Sequence, residues 1–248
     1  MHSSSIALVT GARGGIGRAL TTRLRAAGHR VAAVGRDGAS LAAVEADLHI
    51  AADTSTPEGA AMVIASCTEA FGEPPTLLAH CVGSTLIAPL HRTRPEQYRE
   101  VLRINLDSAF YMLGAWIEGR RQAGDRAGAA VFCSSVVSRI GVANHEAIAA
   151  AKGGVEALVR SAAATYAASG WRINAVAPGM TDTPMTAGML KLDAMREGAG
   201  KQYPLGGVQS ADEVASVMAW LLSTEASRLT GQVIAVDGGF TQVRPLVK

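Results

Sequence analysis

The stretch Asn144–Lys152 reads NHEAIAAAK and brings a histidine, an isoleucine and a lysine close together. Histidine titrates near neutrality and is a frequent general acid or base. Ile148 and Lys152, four residues apart, share one face of a helix, and His145 lies about one turn before Ile148. Lysine can bind or polarise a neighbouring group; isoleucine can do no proton work. A second cluster stands near the N-terminus, Thr10-Gly11-Ala12-Arg13-Gly14-Gly15-Ile16-Gly17. Glycines there let the backbone turn sharply and approach a pyrophosphate, whose charge is favoured at a helix N-terminus. In a chain with 27 glycines, a purely structural turn is the competing use.

These residues need a frame. Continuous apolar runs predict strands at Ile6–Thr10, Arg30–Gly35, His49–Ala52, Leu77–Cys81, Ala129–Ser134, Arg172–Ala177 and Gln232–Val236. Runs without alternation are expected where both faces of a strand are covered. Between them lie helix-length segments, Ile16–Ala27, Pro57–Phe71, Pro95–Gln122, Ala147–Ser169 and Ala211–Leu222. Parallel strands need crossovers of that length. The pattern predicts an α/β chain, a doubly wound Rossmann-type parallel sheet of seven strands in a single domain. One long irregular segment, Thr181–Gly207, is read as a lid or as a loosely ordered surface loop.

Composition sets limits on partners. Across 248 residues, 48% are hydrophobic and 18% charged, which suits one globular domain. A net charge of +2, with basic residues scattered, gives no reason to expect nucleic acid. Cys67, Cys81 and Cys133 are too far apart for a CxxC metal site or a disulfide framework. The start MHSSSIALVTGA lacks a signal-peptide pattern, and no apolar run approaches the ~20 residues of a membrane span. A cytoplasmic protein is expected.

Taken together, the TGxxxGIG turn, Asp53 after the third strand, Asn105 in a helix, Ser135 after the fifth strand, Lys152, Pro178-Gly179 and Asp237-Gly238-Gly239 resemble the short-chain dehydrogenase/reductase family. The likeness covers essentially the whole chain and is close to the 3-oxoacyl-carrier-protein reductases. It implies that Gly11, Gly15, Ile16 and Gly17 line a dinucleotide turn and that Asp53 meets the adenine. Thr181 and Thr183 would take the carboxamide or phosphates, with Pro178 and Gly179 beneath the nicotinamide. Gly83 would allow close approach to the cofactor. It implies further that Asn105 holds a relay water and the backbone around Lys152, and that Lys152 binds the nicotinamide ribose. Ser135 would hold the substrate carbonyl.

Two departures stand out. Where the family shows Asn-Asn-Ala-Gly, this chain has His80-Cys81-Val82-Gly83; His80 is read as a buried hydrogen-bonding replacement for an amide. Thirteen residues after Ser135 the family places its catalytic tyrosine, and here stands Ile148. His145 is the leading substitute for its proton, though it could instead line the pocket or cap the helix. Tyr98 and Tyr166 lie farther off, and Tyr203 belongs to the lid segment.

The second strand ends in Val34-Gly35-Arg36. Glycine where an acid would meet a 2′-hydroxyl, beside an arginine fork and with Arg13 opposite, favours NADP(H) over NAD(H). Leu86, His91, Val137, Met185, Met189 and Leu190 suggest an apolar substrate pocket. The expected activity is interconversion of a carbonyl and an alcohol on a small molecule. The alternative is a non-catalytic dinucleotide-binding subunit partnering an active relative. The resemblance implies a homotetramer or dimer through the long helices.

Overall fold

The computed structural model describes residues 5–124 and 127–244. Residues 1–4, part of the N-terminal stretch read for a targeting signal, lie outside it. Among the described residues nine strands form: β1 (Ile6–Thr10), β2 (Arg30–Gly35), β3 (Leu48–Ala51), β4 (Leu77–His80), β5 (Gly128–Cys133), β6 (Trp171–Pro178), β7 (Thr181–Asp182), β8 (Gln209–Ser210) and β9 (Val233–Val236). The α-helices among the described residues are α1 (Gly15–Ala26), α2 (Gly38–Leu41), α3 (Pro57–Phe71), α4 (Pro95–Leu102), α5 (Ser108–Gln122), α6 (Glu146–Tyr166), α7 (Asp193–Gly200) and α8 (Ala211–Leu222).

Seven strands make one sheet in the order β3-β2-β1-β4-β5-β6-β9, and every pairing is parallel. Alternate side chains of β1 serve two cores. Ile6 and Leu8 join the core built with α3, α5 and α6, whereas Ala7 and Val9 join the one built with α1 and α8. That double coverage is why the runs lack polar alternation. The strand order reverses between β1 and β4, and a cleft in such sheets opens beyond the strand ends at that point.

Local chemistry sets the helix ends. Thr56 accepts the Gly59 N–H at the start of α3, Pro57 occupies its first turn, and Gly72 ends it in the left-handed region at φ 83°. Ser210 and Glu213 form a reciprocal capping box on α8.

The segment expected as one helix over Pro95–Gln122 is divided. A π-helical turn, Arg103–Asp107, separates α4 from α5. Asn105 Nδ2 donates to Val101 O at 2.9 Å, the carbonyl that a regular α-helix assigns to the backbone N–H of Asn105. Thr181–Gly207 is likewise not wholly irregular. It contains α7, and β7 pairs in parallel with β8 to bracket it.

Candidate active site

The C-terminal ends of β1, β4, β5 and β6 surround a cleft of about 410 Å³. Gly15, Ile16, Gly17, Gly83, Ser135, His145, Lys152, Pro178, Gly179, Thr181 and Thr183 all line it, as does Ile148. Gly11 lies beneath. Its φ is +67°, and a Cβ there would come within 2.7 Å of the Cys81 backbone, so only glycine lets the turn cross β4. A Cβ on Gly83 would meet Asn105 Oδ1 at 3.2 Å and Lys152 Nζ at 3.4 Å. Those two polar groups therefore converge behind this glycine.

Lys152 is 6% exposed and donates from Nζ to Cys133 O at 2.7 Å. Burial pulls its pKa below the ordinary lysine value, against the opposing influence of Cys133 and Cys81. The two thiols are themselves pushed up by burial and remain protonated. Ile148, one turn earlier on α6, is 4% exposed and packs with Val101, Ala147 and Ala151. Ser135 opens the loop from β5, and its Oγ accepts the Val137 N–H at 3.4 Å.

That loop is clamped to α6. Glu156, one turn beyond Lys152, accepts from Ser134 Oγ at 3.0 Å and Ser138 Oγ at 2.6 Å. Sequence reasoning missed Glu156; its spacing of four from Lys152 was the available signal.

His145 occupies the N-cap position of α6, but its side chain makes no capping hydrogen bond. Nδ1 lies 2.7 Å from Ala143 O, which can only accept, so Nδ1 carries a proton and Nε2 is the nitrogen left for other work. Glu146 beside it is exposed.

Asn105 is 1% exposed. Its amide goes to Ser84, accepting from the backbone N–H at 3.2 Å and donating to Oγ at 3.0 Å, and to Val101. It thus holds the turn after β4, where contact with the backbone around Lys152 was expected.

His80 is buried between Thr10 and Ser108. Thr10 Oγ1 is 2.8 Å from Nδ1, and Ser108 Oγ is 3.0 Å from Nε2. Because Ser108 Oγ donates to Ile104 O, it accepts from Nε2–H, which assigns a neutral tautomer. Burial, helped by the Lys152 charge, pushes the His80 pKa down to about 3.

Arg13, Arg36 and Asp53 do not line the cleft. Arg36 is exposed just past the end of β2, and the exposed Arg13 acts electrostatically on Asp37. Asp37 caps α2 by accepting the Ala39 N–H at 3.1 Å. Asp53 follows β3, and its carboxylate accepts from Ser55 and from Arg103 Nη1 at 3.1 Å. Burial raises its pKa, but the Ser55 and Arg103 hydrogen bonds outweigh that and the net shift is downward. Arg103, which also pairs with Glu100 at 2.7 Å, was not anticipated.

Of the expected pocket residues, Val137, Met185 and Met189 line the cleft; Leu86, His91 and Leu190 do not. Tyr203 does line it, with its Oη accepting the Met180 N–H at 2.6 Å. Tyr98 and Tyr166 stand outside.

A family model described as enoyl-(acyl carrier protein) reductase matches residues 11–241. The chain belongs to the short-chain dehydrogenase/reductase family. It is 38% identical over 245 residues to cis-4-hydroxycyclohexanecarboxylate dehydrogenase of Sinomonas cyclohexanicum, covering 96% of this chain and 97% of that one. It is 34% identical over 245 residues to 3-oxoacyl-(acyl-carrier-protein) reductase of Salmonella typhimurium, covering 96% and 98%. The ligand-free structure of Thermoplasma acidophilum aldohexose dehydrogenase superposes with a TM-score of 0.91 at 27% identity, covering 99% of this chain and 97% of that one.

Short-chain dehydrogenases/reductases bind a nicotinamide dinucleotide, and the residues present here fit one. The Gly11 turn leads into the N-terminus of α1, where Gly14 offers no side-chain cap to the backbone amides and an anion is favoured. Among the described residues, no helix is long and apolar enough to cross a membrane, and no His/Cys/Asp/Glu group could hold a metal ion.

Proposed function

We propose that this short-chain dehydrogenase/reductase is an NADP(H)-dependent oxidoreductase that interconverts a carbonyl and an alcohol with an atypical proton donor. In this reading Ile148 replaces the family's tyrosine. The observation that carries the proposal is that Ser135, His145, Ile148 and Lys152 line one cleft.

A bound nicotinamide dinucleotide supplies or accepts the hydride. Lys152 holds the cofactor ribose, a task that needs no tyrosine. Ser135 Oγ donates to the substrate oxygen. His145 holds the exchanging proton at Nε2, since Nδ1 is engaged with Ala143 O. Buried Ile148 cannot share that work. A positioned acid is typically worth ~10²–10⁴ in rate, or roughly 3–5 kcal/mol. Orientation alone can contribute ~7–11 kcal/mol. Loss of a tyrosine therefore leaves ample room for catalysis.

NADP(H) is favoured because Asp37 is committed to capping α2 while Arg36 remains exposed beside Gly35. The names of the two sequence relatives extend from a hydroxylated ring acid to 3-oxoacyl thioesters, so the substrate belongs among small ketones, oxoacyl groups and their alcohols.

Oxidation of NADPH against a panel of ketones and β-ketoacyl thioesters tests the reading, run for the unaltered protein, His145→Ala and Ile148→Tyr. Turnover that His145→Ala largely abolishes supports the relocated acid. Turnover that survives it assigns the proton to solvent. If only Ile148→Tyr turns over, the second reading stands: a dinucleotide-binding subunit that serves an active partner. The packing of Ile148 against Val101, Ala147 and Ala151 is the observation in its favour.

A further inference from the structure

Among the described residues lining the cleft, Lys152 carries the one fixed charge. One of its three N–H groups donates to Cys133 O at 2.7 Å, and the reading of the site commits the others to the cofactor ribose. Beyond Ser135 the apolar walls are Val137, Val142, Ile148, Met185, Met189 and Phe240, and the polar side chains among them, Thr85, Thr186 and Gln202 included, are neutral.

Nearby cations are held elsewhere. Arg139, just past the Ser135 loop, donates to Val233 O at 2.6 Å. Arg196 of α7 pairs with Asp182 at 2.8 Å, and Lys201 pairs with Glu197 at 2.7 Å. His145 is the other lining group able to take up positive charge, and its Nδ1 is bound to Ala143 O.

A carboxylate entering this space sheds its hydration and meets neutral hydroxyl and amide groups but no uncommitted cation. An apolar ring or chain entering it gains burial and contact with polarisable Met185 and Met189. Resting on the carbonyl–alcohol reading of the same site, we infer that the substrate is a neutral ketone or secondary alcohol whose part inside the cleft is apolar and carries no ionised group. A ring carboxylate is thereby excluded, and any charged handle on an acyl substrate lies outside the cleft.

The test compares 4-oxocyclohexanecarboxylate with its methyl ester, which share a ring and differ in charge. Each is titrated by calorimetry at pH 8 into protein saturated with NADP⁺, so that no reduction can occur. The ester is expected to bind at least tenfold more tightly. Val142→Arg, which plants a cation in the wall, is expected to shrink or reverse that preference. Equal or tighter binding of the carboxylate by the unaltered protein overturns the inference, as does binding of neither ketone. A separate titration with NADP⁺ alone distinguishes the two levels. If the dinucleotide binds and the ester preference is missing, only the substrate inference fails; if the dinucleotide does not bind, the reading of the site fails with it.

Discussion

The carboxylate of Glu156 accepts hydrogen bonds from Ser138 Oγ at 2.6 Å and Ser134 Oγ at 3.0 Å, one on each side of Ser135 in the chain. Arg160, 57% exposed, offers only a loose ion pair at 3.7 Å, so the serines are the principal partners. Hydrogen bonds to charged groups contribute about 1.5–3 kcal/mol each. Glu156→Leu is expected to cost roughly 2–4 kcal/mol in urea denaturation, and to lower kcat by loosening Ser135. Glu156→Gln keeps an acceptor oxygen and is expected to cost about half as much. Equal losses for the two variants would refute a clamping role.

His80 makes the fold sensitive to acid. Its folded pKa is pushed down to about 3, while an unfolded histidine titrates near 6.5. Between these values the unfolded chain binds the additional proton, so stability is full above pH ~6.5 and falls as pH falls towards 3, by up to ~1.4 kcal/mol per pH unit. His80→Asn removes this titration and keeps a hydrogen-bonding side chain between Thr10 and Ser108. Its loss of stability from pH 6.5 to pH 5 is expected to be roughly 2 kcal/mol smaller than that of the unaltered protein. Urea midpoints at the two pH values check this, and parallel curves for the two proteins would remove His80 from the account.

Arg36 is exposed beside Gly35, and Asp37 is turned into α2. Arg36→Ala is therefore expected to weaken NADPH binding by about 10–100-fold, the worth of a charge-assisted hydrogen bond. NADH binding should change little. Fluorescence titration of both cofactors decides the matter; equal loss for the two would assign Arg36 to something other than the 2′-phosphate.

Tyr203 links the segment after α7 to the turn after β6, where its Oη accepts the Met180 N–H at 2.6 Å and its ring lies 5.1 Å from that of Phe240. Removing the hydroxyl leaves the Met180 N–H without this acceptor. Tyr203→Phe is expected to cost about 1–3 kcal/mol and to increase proteolysis within 187–200. Limited trypsin digestion reads the second effect directly, and unchanged cleavage there would argue that the segment is held by other contacts.

Much of the architecture was legible because parallel strands covered on both faces leave continuous apolar runs. Strand limits at β1 and β2 coincide with the sequence reading, as do the limits of α3 and α8. The break between α4 and α5 was hidden, since it arises from one side chain competing for a carbonyl: Asn105 reads as a buried amide, and nothing in its neighbours announces the bond to Val101 O. The two-residue strands β7 and β8 are too short for any periodicity to register. At the site, residues carried by glycine spacing and helix phase, such as Gly15, Gly17 and Lys152, line one cleft. Arg103 was not foreseen, because its link to Asp53 joins positions fifty apart in the chain.

The pairing of Thr181 with Gln209 and of Asp182 with Ser210 bears on how a ligand could enter. The Gln209 side chain reinforces it, with Nε2 donating to Thr181 Oγ1 at 2.9 Å. Both roots of the intervening segment are thereby stitched to each other independently of the main sheet. Were a segment tied in this way to open, it would do so as a drawstring purse does, its mouth widening while its seam stays closed. Entry then requires no strand of the seven-stranded sheet to part, and the stability of the fold is insulated from the traffic of its ligands.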